Sequence, residues 1–180
     1  MIEVEALKDS RLIIWSLRDS RQLYEGGFYG KPLGNSKPKE GFDEPLILDP
    51  IEGVYLLEKG RIRVISGTNK KNINFKSLIK KTKSTLDDFD NKYQVYKDLR
   101  DKGFIVAPGI KYGCDFAVYK QGPGIDHAPF IIQVKNSTEK ISAAEIVKAG
   151  RLASTVRKTF IIAVIDEGKI KYLEFKWWRA

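Results

Sequence analysis

Cysteine, histidine and methionine are nearly absent from this chain, with one of each in 180 residues. The single cysteine, Cys114, excludes an internal disulfide bond and any metal site built from several cysteines. Its position before the apolar run FAVY predicts a strand start with an inert, buried thiol. No apolar run approaches the roughly 20 residues that span a bilayer. The N-terminal residues carry early acids and lack the layout of a signal peptide, so we expect a cytosolic protein.

Acidic side chains are the minority among the charged residues. The chain has 32 Lys and Arg against 23 Asp and Glu, a net charge of +9. A basic protein attracts polyanions through long-range steering and the release of condensed counterions, so nucleic acid is a candidate partner. Six lysines lie within residues 70–83, and this density fits either such a surface or a solvated helix face.

Residues 1–84 are predicted to form a small N-terminal α/β unit. Period-2 alternation marks strands, whereas an Asp-Pro pair before an apolar run that ends in glycine marks a capped helix. The predicted elements are two strands around a Lys-Asp-Ser turn in residues 2–16, a long Gly- and Pro-rich loop at 25–45, a helix from Pro50 with Asp49 as N-cap and Gly60 as terminator, an edge-like strand at 61–66 and a short helix at 75–83.

Residues 85–180 are predicted to form a second unit with a mixed sheet flanked by helices. Some of its strands are apolar throughout, and a capped helix separates two of them, which is typical of a sheet covered by helices. The overall class is therefore α/β (α+β). The predicted elements are a helix from Leu86 with Asp87 and Asp88 in its first turn, strands at 104–107, 114–119 and 130–135, a helix from Ser142 to about Arg157 with a Ser142–Glu145 capping box, and strands at 159–166 and 169–178.

The one histidine, His127, lies in an irregular segment, GPGIDHAP, outside the predicted helices and strands. Histidine side chains change charge near neutral pH, so His127 is either a proton donor or an incidental surface residue. Tyr112 lies in a Gly-flanked turn, and Lys158 ends a predicted helix. Taken alone, Tyr112 fits an aromatic lid on a strand end, and Lys158 fits a cation favoured by the helix dipole.

Together these three residues fit the cleavage of RNA. RNA carries its own nucleophile, the 2′-hydroxyl, so a cleaving enzyme needs a base, an acid for the departing 5′-oxygen, and positive charge beside the phosphorus. Tyr112 fits the base if a nearby cation assists it, His127 fits the acid, and Lys158 fits the charge. This chemistry needs neither a metal nor a cofactor, and none is expected.

Three stretches resemble the archaeal tRNA-splicing (tRNA-intron) endonucleases: VYKDLRDKGFIVAPGIKYGCDFAVY, GIDHAPFIIQVK and RLASTVRKTFIIAVID. The resemblance is close over residues 86–180 and covers only the general layout of residues 1–85. The family's catalytic tyrosine, histidine and lysine fall on Tyr112, His127 and Lys158. All three are present, so the resemblance implies a catalytic subunit with a C-terminal, nuclease-like domain.

The resemblance implies a substrate and products. The substrate is precursor tRNA, cut at both exon–intron junctions of a bulge–helix–bulge that is recognised by shape. The products carry a 2′,3′-cyclic phosphate and a 5′-hydroxyl, and the reaction uses no metal. The family assembles so that two active sites measure the distance between the junctions, either as homo-oligomers or as heterotetramers with a structural paralogue.

Further site residues follow from the same resemblance. Arg151 matches an arginine that stacks on a bulged base, and its place seven residues before Lys158 predicts that both project from one helix face. Trp177, Trp178 and Arg179 are candidates for the other side of that stack, worth about 1–3 kcal/mol per base; strand packing or a dimer interface would equally explain the tryptophans. The Asp166-Glu167 turn matches an acidic loop that docks on a neighbouring subunit, and a plain hairpin turn is its simpler interpretation.

Two other functions compete with RNA splicing. Asp115, Gln133 and Lys135 resemble the acidic residue and Q-x-K pattern of restriction-type nucleases, in which acids hold Mg²⁺ and a lysine assists water. Asp115 is equally explained as a structural acceptor at a strand start. A non-catalytic RNA-binding subunit would need only the positive charge and the aromatic residues.

Overall fold

A computed structural model describes residues 1–34 and 41–175 of the chain. It divides into two compact units, Met1–Asp90 and Asn91–Ala180. The mixture of helices and mixed sheets in both units confirms the predicted α/β (α+β) class. A domain boundary between residues 84 and 85 stays a prediction, since compactness alone does not test independent folding. Within the described ranges, no helix is long and apolar enough to cross a membrane.

The N-terminal unit is built on a six-stranded sheet with the strand order β3-β4-β2-β1-β5-β6. Strands β1 and β5 are parallel, and the other neighbouring pairs are antiparallel. The elements in chain order are β1 Ile2–Ala6, β2 Leu12–Ile14, α1 Leu17–Glu25, β3 Lys31–Pro32, β4 Leu46–Leu48, α2 Pro50–Glu58, β5 Ile62–Ser66, β6 Asn72–Ile73 and α3 Phe75–Lys83.

Helix α2 shows why local sequence determines a boundary so well. The Asp49 side chain accepts a hydrogen bond from the Ile51 backbone N–H at 2.9 Å, and the Asp49 N–H donates to Glu52 at 2.9 Å. Pro50 occupies the first helical turn, where its missing N–H costs nothing. The predicted N-cap and proline position are confirmed, and α3 covers the predicted residues 75–83.

The lysine-rich stretch that includes α3 is partly engaged within its own unit. Lys70 pairs with Glu5 and Lys83 pairs with Asp90, while the Lys81 ammonium donates to the Leu7 carbonyl oxygen. Such exposed pairs are typical of a solvated face and contribute little each.

Two expectations for the N-terminal unit were wrong or incomplete. Strand β5 is not an edge strand, because the two-residue β6 pairs with its outer side at Val64 and Ile65. A strand of two residues leaves too little alternation to be recognised in a sequence. The predicted loop at 25–45 contains β3, and residues 35–40 of that loop lie outside the described residues.

The C-terminal unit contains a five-stranded sheet with the order β11-β10-β9-β8-β7, in which only β9 and β10 are parallel. A helix connects these two strands, as a parallel pair requires. The elements are α4 Phe89–Asp101 (which begins just before the unit), β7 Ile105–Pro108, a 3-10 turn at Ile110–Tyr112, β8 Phe116–Tyr119, β9 Phe130–Asn136, α5 Ala143–Thr155, β10 Thr159–Asp166 and β11 Lys169–Phe175.

Helices cover both faces of this sheet. On one face, Tyr96 of α4 packs on Phe116 with ring centres 6.0 Å apart. On the other, Ala153 of α5 packs with Ile131, Phe160 and Ile162. Successive side chains along each strand therefore face opposite helices, which gives the strands their apolar character throughout.

The boundaries of both helices differ from the prediction. Asp87 and Asp88 precede α4 rather than forming its first turn, and Asp88 has a positive φ of 55° that a helix does not allow. Helix α5 has the predicted capping box between Ser142 and Glu145, but it ends at Thr155 instead of about Arg157. Arg157 has a φ of 52°, and this left-handed residue turns the chain out of the helix.

Candidate active site

The three predicted catalytic residues come from three connections of the C-terminal sheet. Tyr112 ends the 3-10 turn between β7 and β8, and Gly113 follows with a φ of 64°. His127 lies in the loop between β8 and β9. Lys158 lies between α5 and β10, two residues after the helix cap at Val156. It therefore follows the helix rather than ending it.

Lys158 lies beside the ring of Tyr112. Its ammonium nitrogen is 5.2 Å from the ring centre, and the ammonium of Lys111 is 5.9 Å from the same ring. Tyr112 is half-buried and packs against the apolar cluster between α5 and the sheet. Two ammonium groups therefore lie within cation–π range of the Tyr112 ring.

The same ammonium group contacts the segment that carries His127. Lys158 Nζ donates to the Ala128 carbonyl oxygen at 2.5 Å, and the next residue, Thr159, donates its backbone N–H to the Pro129 carbonyl oxygen at 2.8 Å. The parallel pairing of β9 and β10 produces this contact, because Thr159 is opposite Phe130. The structure thus brings Tyr112, Lys158 and the backbone beside His127 to one end of the sheet.

His127 itself is exposed, while the next residue, Ala128, is buried. No described residue forms a hydrogen bond or ion pair with its imidazole, and the side chain is accessible to solvent.

The loop before His127 is closed by Asp126. Its carboxylate accepts hydrogen bonds from the backbone N–H groups of Lys120, Gln121 and Gly122 at 3.1, 3.3 and 2.7 Å. Desolvation acts most strongly on this carboxyl and raises its pKa, but the three N–H groups together hold the pKa of Asp126 below its usual value. Asp126 was not among the predicted site residues, although aspartate side chains near glycines often accept hydrogen bonds from the backbone of a turn.

The structure describes one of the four predicted RNA-binding residues. Arg151 is exposed on α5. The expectation that Arg151 and Lys158 project from one helix face was wrong, because the helix ends at Thr155 and Lys158 is no longer in helical phase. Trp177, Trp178 and Arg179 lie outside the described residues.

The acidic turn between β10 and β11 is a two-residue hairpin. Glu167 and Gly168 have φ values of 47° and 77°, as a tight turn between twisted strands requires. The Lys171 ammonium donates to Asp166 at 2.9 Å and, with a hydrogen bond from Ser137, holds the pKa of Asp166 below its usual value. Gln94 of α4 donates to the Gly168 carbonyl oxygen at 2.5 Å. The turn is exposed and is held by these hydrogen bonds. Docking of the turn on a neighbouring subunit stays a prediction.

The residues of the alternative metal site, Asp115, Gln133 and Lys135, are each engaged in hydrogen bonds or ion pairs within the protein. The Asp115 carboxylate accepts hydrogen bonds from Gln133 Nε2 at 2.7 Å and the Val134 backbone N–H at 2.8 Å, and Lys92 Nζ lies 3.1 Å from its other oxygen. Lys135 pairs with Glu139 at 3.1 Å. Among residues 1–34 and 41–175, no three His, Cys, Asp or Glu side chains cluster as metal ligands would. Asp115 acts as a clamp between β8 and β9.

Cys114 lies beside this clamp and is half-buried, two residues before β8 instead of at its start. Burial and the neighbouring Asp115 carboxylate raise the pKa of the Cys114 thiol to about 11. The thiol therefore stays protonated at neutral pH, as expected for an inert cysteine.

A cavity of about 440 Å³ separates part of α5 from the sheet. Its walls are mainly aliphatic, with Ile131 and Ile162 from the sheet and Ala149 and Leu152 from the helix, and Tyr112 lines one end. Helix α5 is thus less tightly packed than α2, which has six buried residues against the one of α5.

Comparison with known proteins identifies the family. The model of the tRNA intron endonuclease catalytic C-terminal domain matches residues 89–172, and that of the tRNA intron endonuclease N-terminal domain matches residues 5–79. The chain is similar over most of its length to curated proteins named tRNA-splicing endonuclease. The protein from Sulfurisphaera tokodaii is 43% identical over 96% of this chain and 97% of its own length, that from Saccharolobus solfataricus 43% over 95% and 96%, and that from Hyperthermus butylicus 41% over 93% of each.

Both domain models match in the order and positions of the two structural units, and the identity extends across nearly the whole chain. The chain belongs to the tRNA-splicing endonuclease family of enzymes.

Proposed function

We propose that this enzyme excises introns from precursor tRNA by cutting both exon–intron junctions of a bulge–helix–bulge. Family membership supports the substrate, since every relative compared above carries the name tRNA-splicing endonuclease. One observation carries the site: a single ammonium group, that of Lys158, lies 5.2 Å from the Tyr112 ring centre and donates to the carbonyl oxygen directly after His127.

Each residue then has one role in the transfer. Tyr112 acts as its phenolate, and the 2′-hydroxyl gives its proton to this oxygen as it attacks the adjacent phosphorus and the bond from phosphorus to the 5′-oxygen breaks. His127 acts as its imidazolium and gives a proton to that departing oxygen, so that a neutral tyrosine and a neutral imidazole remain. The products are a 2′,3′-cyclic phosphate and a 5′-hydroxyl, and atoms and charge balance without a metal.

Lys158 supplies positive charge where the non-bridging phosphate oxygens become more negative. An ammonium group has three donors, and one of them is used on Ala128. Two donors remain for phosphate oxygens. Charge-assisted hydrogen bonds of this kind stabilise a transition state most when their donors are held in place beforehand, and the bond to Ala128 does this.

Substitution of the acid and the base tests the proposal. His127→Ala and Tyr112→Phe should each lose most of the cleavage rate in single-turnover assays, by about a hundredfold or more, while the affinity for precursor tRNA changes little because phosphate contacts dominate binding. Tyr112→Phe removes only a hydroxyl, so its stability should match the wild type. Normal cleavage by either variant would remove that residue from the mechanism.

The same assay separates the competing functions. Full activity in EDTA favours the Tyr112, His127 and Lys158 site, whereas loss of activity in EDTA that Mg²⁺ restores favours the site at Asp115, Gln133 and Lys135. A pure chain that binds precursor tRNA tightly and never cuts it, alone or with a second subunit, would be the non-catalytic RNA-binding protein.

We also propose that Arg151, together with Trp177, Trp178 or Arg179, contacts the RNA away from the cleaved bond. If Arg151 stacks on a bulged base, Arg151→Ala should weaken binding by about 1–3 kcal/mol, and Arg151→Lys should not restore it, because lysine keeps the charge but has no planar group. If Arg151→Lys binds RNA as tightly as the wild type, Arg151 contacts the RNA only through its charge and does not stack on a base.

Assembly is proposed as a homo-oligomer or a heterotetramer with a structural paralogue, with the turn at Asp166 and Glu167 docking on a neighbouring subunit. Cleavage by the purified chain alone would favour the homo-oligomer, and activity only after addition of a second polypeptide would favour the heterotetramer. Asp166→Asn with Glu167→Gln should dissociate the assembly in sedimentation experiments if the turn docks, and an unchanged sedimentation coefficient would assign the turn no such role.

A further inference from the structure

We propose that Asp126 is a positioning residue that holds the backbone of His127 in the orientation needed for proton transfer. The proposal rests on the proposed function, because it concerns the same histidine. It assigns a role to a side chain that never touches the substrate and acts only through its neighbour.

The loop before His127 has no regular secondary structure to support it. Residues 120–129 connect β8 to β9, with Gly122 and Gly124 at φ values of 140° and 90°. Such glycines allow many backbone conformations, so the loop needs something else to select one. The Asp126 carboxylate supplies this selection by accepting three backbone N–H groups from residues 120–122.

Backbone hydrogen bonds in the loop reinforce the same arrangement. The N–H groups of Ile125 and Asp126 both donate to the Gly122 carbonyl oxygen, at 3.1 and 3.0 Å. The segment from residue 120 to residue 126 is thereby closed into a ring that ends directly before His127.

The other side of His127 is anchored independently. Ala128 accepts from the Lys158 ammonium and Pro129 accepts from Thr159. His127 is therefore a single residue held between two anchors, with Asp126 on one side and Lys158 on the other. Removal of either anchor leaves the histidine attached to the site at one end only.

Orientation through the backbone is needed because the described part of the chain offers the ring no hydrogen-bond or ion-pair partner. A catalytic imidazole is commonly oriented by a carboxylate or carbonyl on its second nitrogen. Among the residues that the structure describes, none fills that place for His127, and its side chain is exposed. What the loop fixes is therefore the Cα–Cβ direction, on which the position of both ring nitrogens depends.

Asp126→Asn is a nearly isosteric test. If the amide oxygen takes the place of Oδ2, it keeps the N–H groups of Lys120 and Gln121 and the amide nitrogen faces the N–H of Gly122, which forms the shortest of the three bonds. If the amide is turned the other way, it keeps Gly122 and loses the other two. At least one of the three bonds is therefore replaced by two donors that face each other, without a change in side-chain size. A catalytic group displaced by about 1 Å can lose a hundredfold in rate.

The first experiment is a double-mutant cycle on cleavage of a bulge–helix–bulge RNA by the full-length chain. Asp126→Asn should lower kcat by about ten- to a hundredfold with KM within twofold of the wild type, and it should cause no further loss when His127 is already alanine. An equal loss in both backgrounds, or a normal kcat for Asp126→Asn, overturns the proposal.

A second measurement needs no activity. His127 is the only histidine, so its imidazole carbon–proton NMR signal is assigned without ambiguity. Asp126→Asn should shift this signal and broaden or split it. The control is Glu139→Gln, which changes another carboxylate that accepts a backbone N–H, that of Asn136 at 2.9 Å, and should leave the signal unchanged. A wild-type histidine signal in Asp126→Asn overturns the proposal even if the rate falls.

Failure of this inference can be told apart from failure of the proposed function. If His127→Ala cleaves normally, the histidine has no catalytic role and the proposed mechanism falls first. If His127→Ala is inactive while Asp126→Asn has the wild-type kcat, only the positioning role is lost.

Discussion

Replacement of Asp115 by asparagine distinguishes a structural clamp from a metal ligand. The wild-type carboxylate satisfies three donors: Gln133 Nε2, the Val134 N–H and the Lys92 ammonium. An asparagine keeps one acceptor oxygen and places an NH₂ group where the other was. In one orientation of the amide its NH₂ group faces the Val134 N–H, and in the other it faces the Lys92 ammonium; both of these groups are donors.

The structure sets the magnitude of the loss. Val134 is only 3% exposed, and leaving its buried N–H without an acceptor costs about 1–3 kcal/mol. The pair with Lys92 also weakens; its side chains are 21% and 11% exposed, so this loss is smaller than the roughly 3–5 kcal/mol of a fully buried pair. The amide can turn to avoid one of these two losses, so Asp115→Asn should reduce the free energy of unfolding by about 1–3 kcal/mol, which lowers Tm by roughly 2–12 °C for a chain of this length.

The assay combines stability with activity. Urea unfolding of Asp115→Asn is compared with Asp90→Asn, which changes an exposed acid paired with Lys83 and should cost at most about 1 kcal/mol. Cleavage is then measured in EDTA at a temperature where both variants are folded, and Asp115→Asn should cut within a fewfold of the wild type. Wild-type stability together with abolished cleavage would refute the clamp and return Asp115 to a metal site.

Three further predictions concern other parts of the C-terminal unit. Because burial and Asp115 raise the pKa of Cys114 to about 11, the native protein at pH 8 should react slowly with a thiol reagent and rapidly once unfolded; immediate labelling of native protein would contradict this. The lowered pKa of Asp126 means that its contribution to stability is complete above the ordinary carboxyl pKa near 3.8 and is lost only as the pH falls through the lower folded value, so the histidine NMR signals of the wild type and of Asp126→Asn should still differ at pH 4 and should converge below it; signals that already coincide at pH 4 would contradict this. Ala149→Leu should fill part of the cavity beneath α5 and raise the free energy of unfolding by about 0.5–2 kcal/mol in urea titration, and a destabilised variant would show that the space cannot accept a larger side chain.

Local patterns in the sequence were enough to find most elements. The Asp49–Glu52 and Ser142–Glu145 caps, and the apolar strands around them, depend on residues within one turn or one strand, so the sequence contains all the information needed. The predictions were wrong where the position or end of an element depends on another strand or on the backbone conformation of a single residue. Strand β5 looks like an edge strand until the short β6 pairs with it, and α5 looks longer than it is until Arg157 turns out of the helix.

The candidate site also has one part that could be predicted from the sequence and one part that could not. Residue types and the family resemblance were sufficient to select Tyr112, His127 and Lys158, because only a few side chains can donate or accept a proton near neutral pH. No pattern indicated that the Asp115 carboxylate would be satisfied by Lys92, Gln133 and Val134, since these residues meet only after β8 and β9 pair.

The sequence by itself determined the α/β class, the capped helices, the family and the three candidate catalytic side chains, since each is encoded by neighbouring residues or by residue type. Only the tertiary structure decided that the Lys158 ammonium contacts both the Tyr112 ring and the backbone after His127, and that Asp126 closes the loop before it. Those contacts join residues up to 46 positions apart, from Tyr112 to Lys158. They exist because the parallel pairing of β9 and β10 brings the starts of both strands together, which no local interaction in the chain can specify.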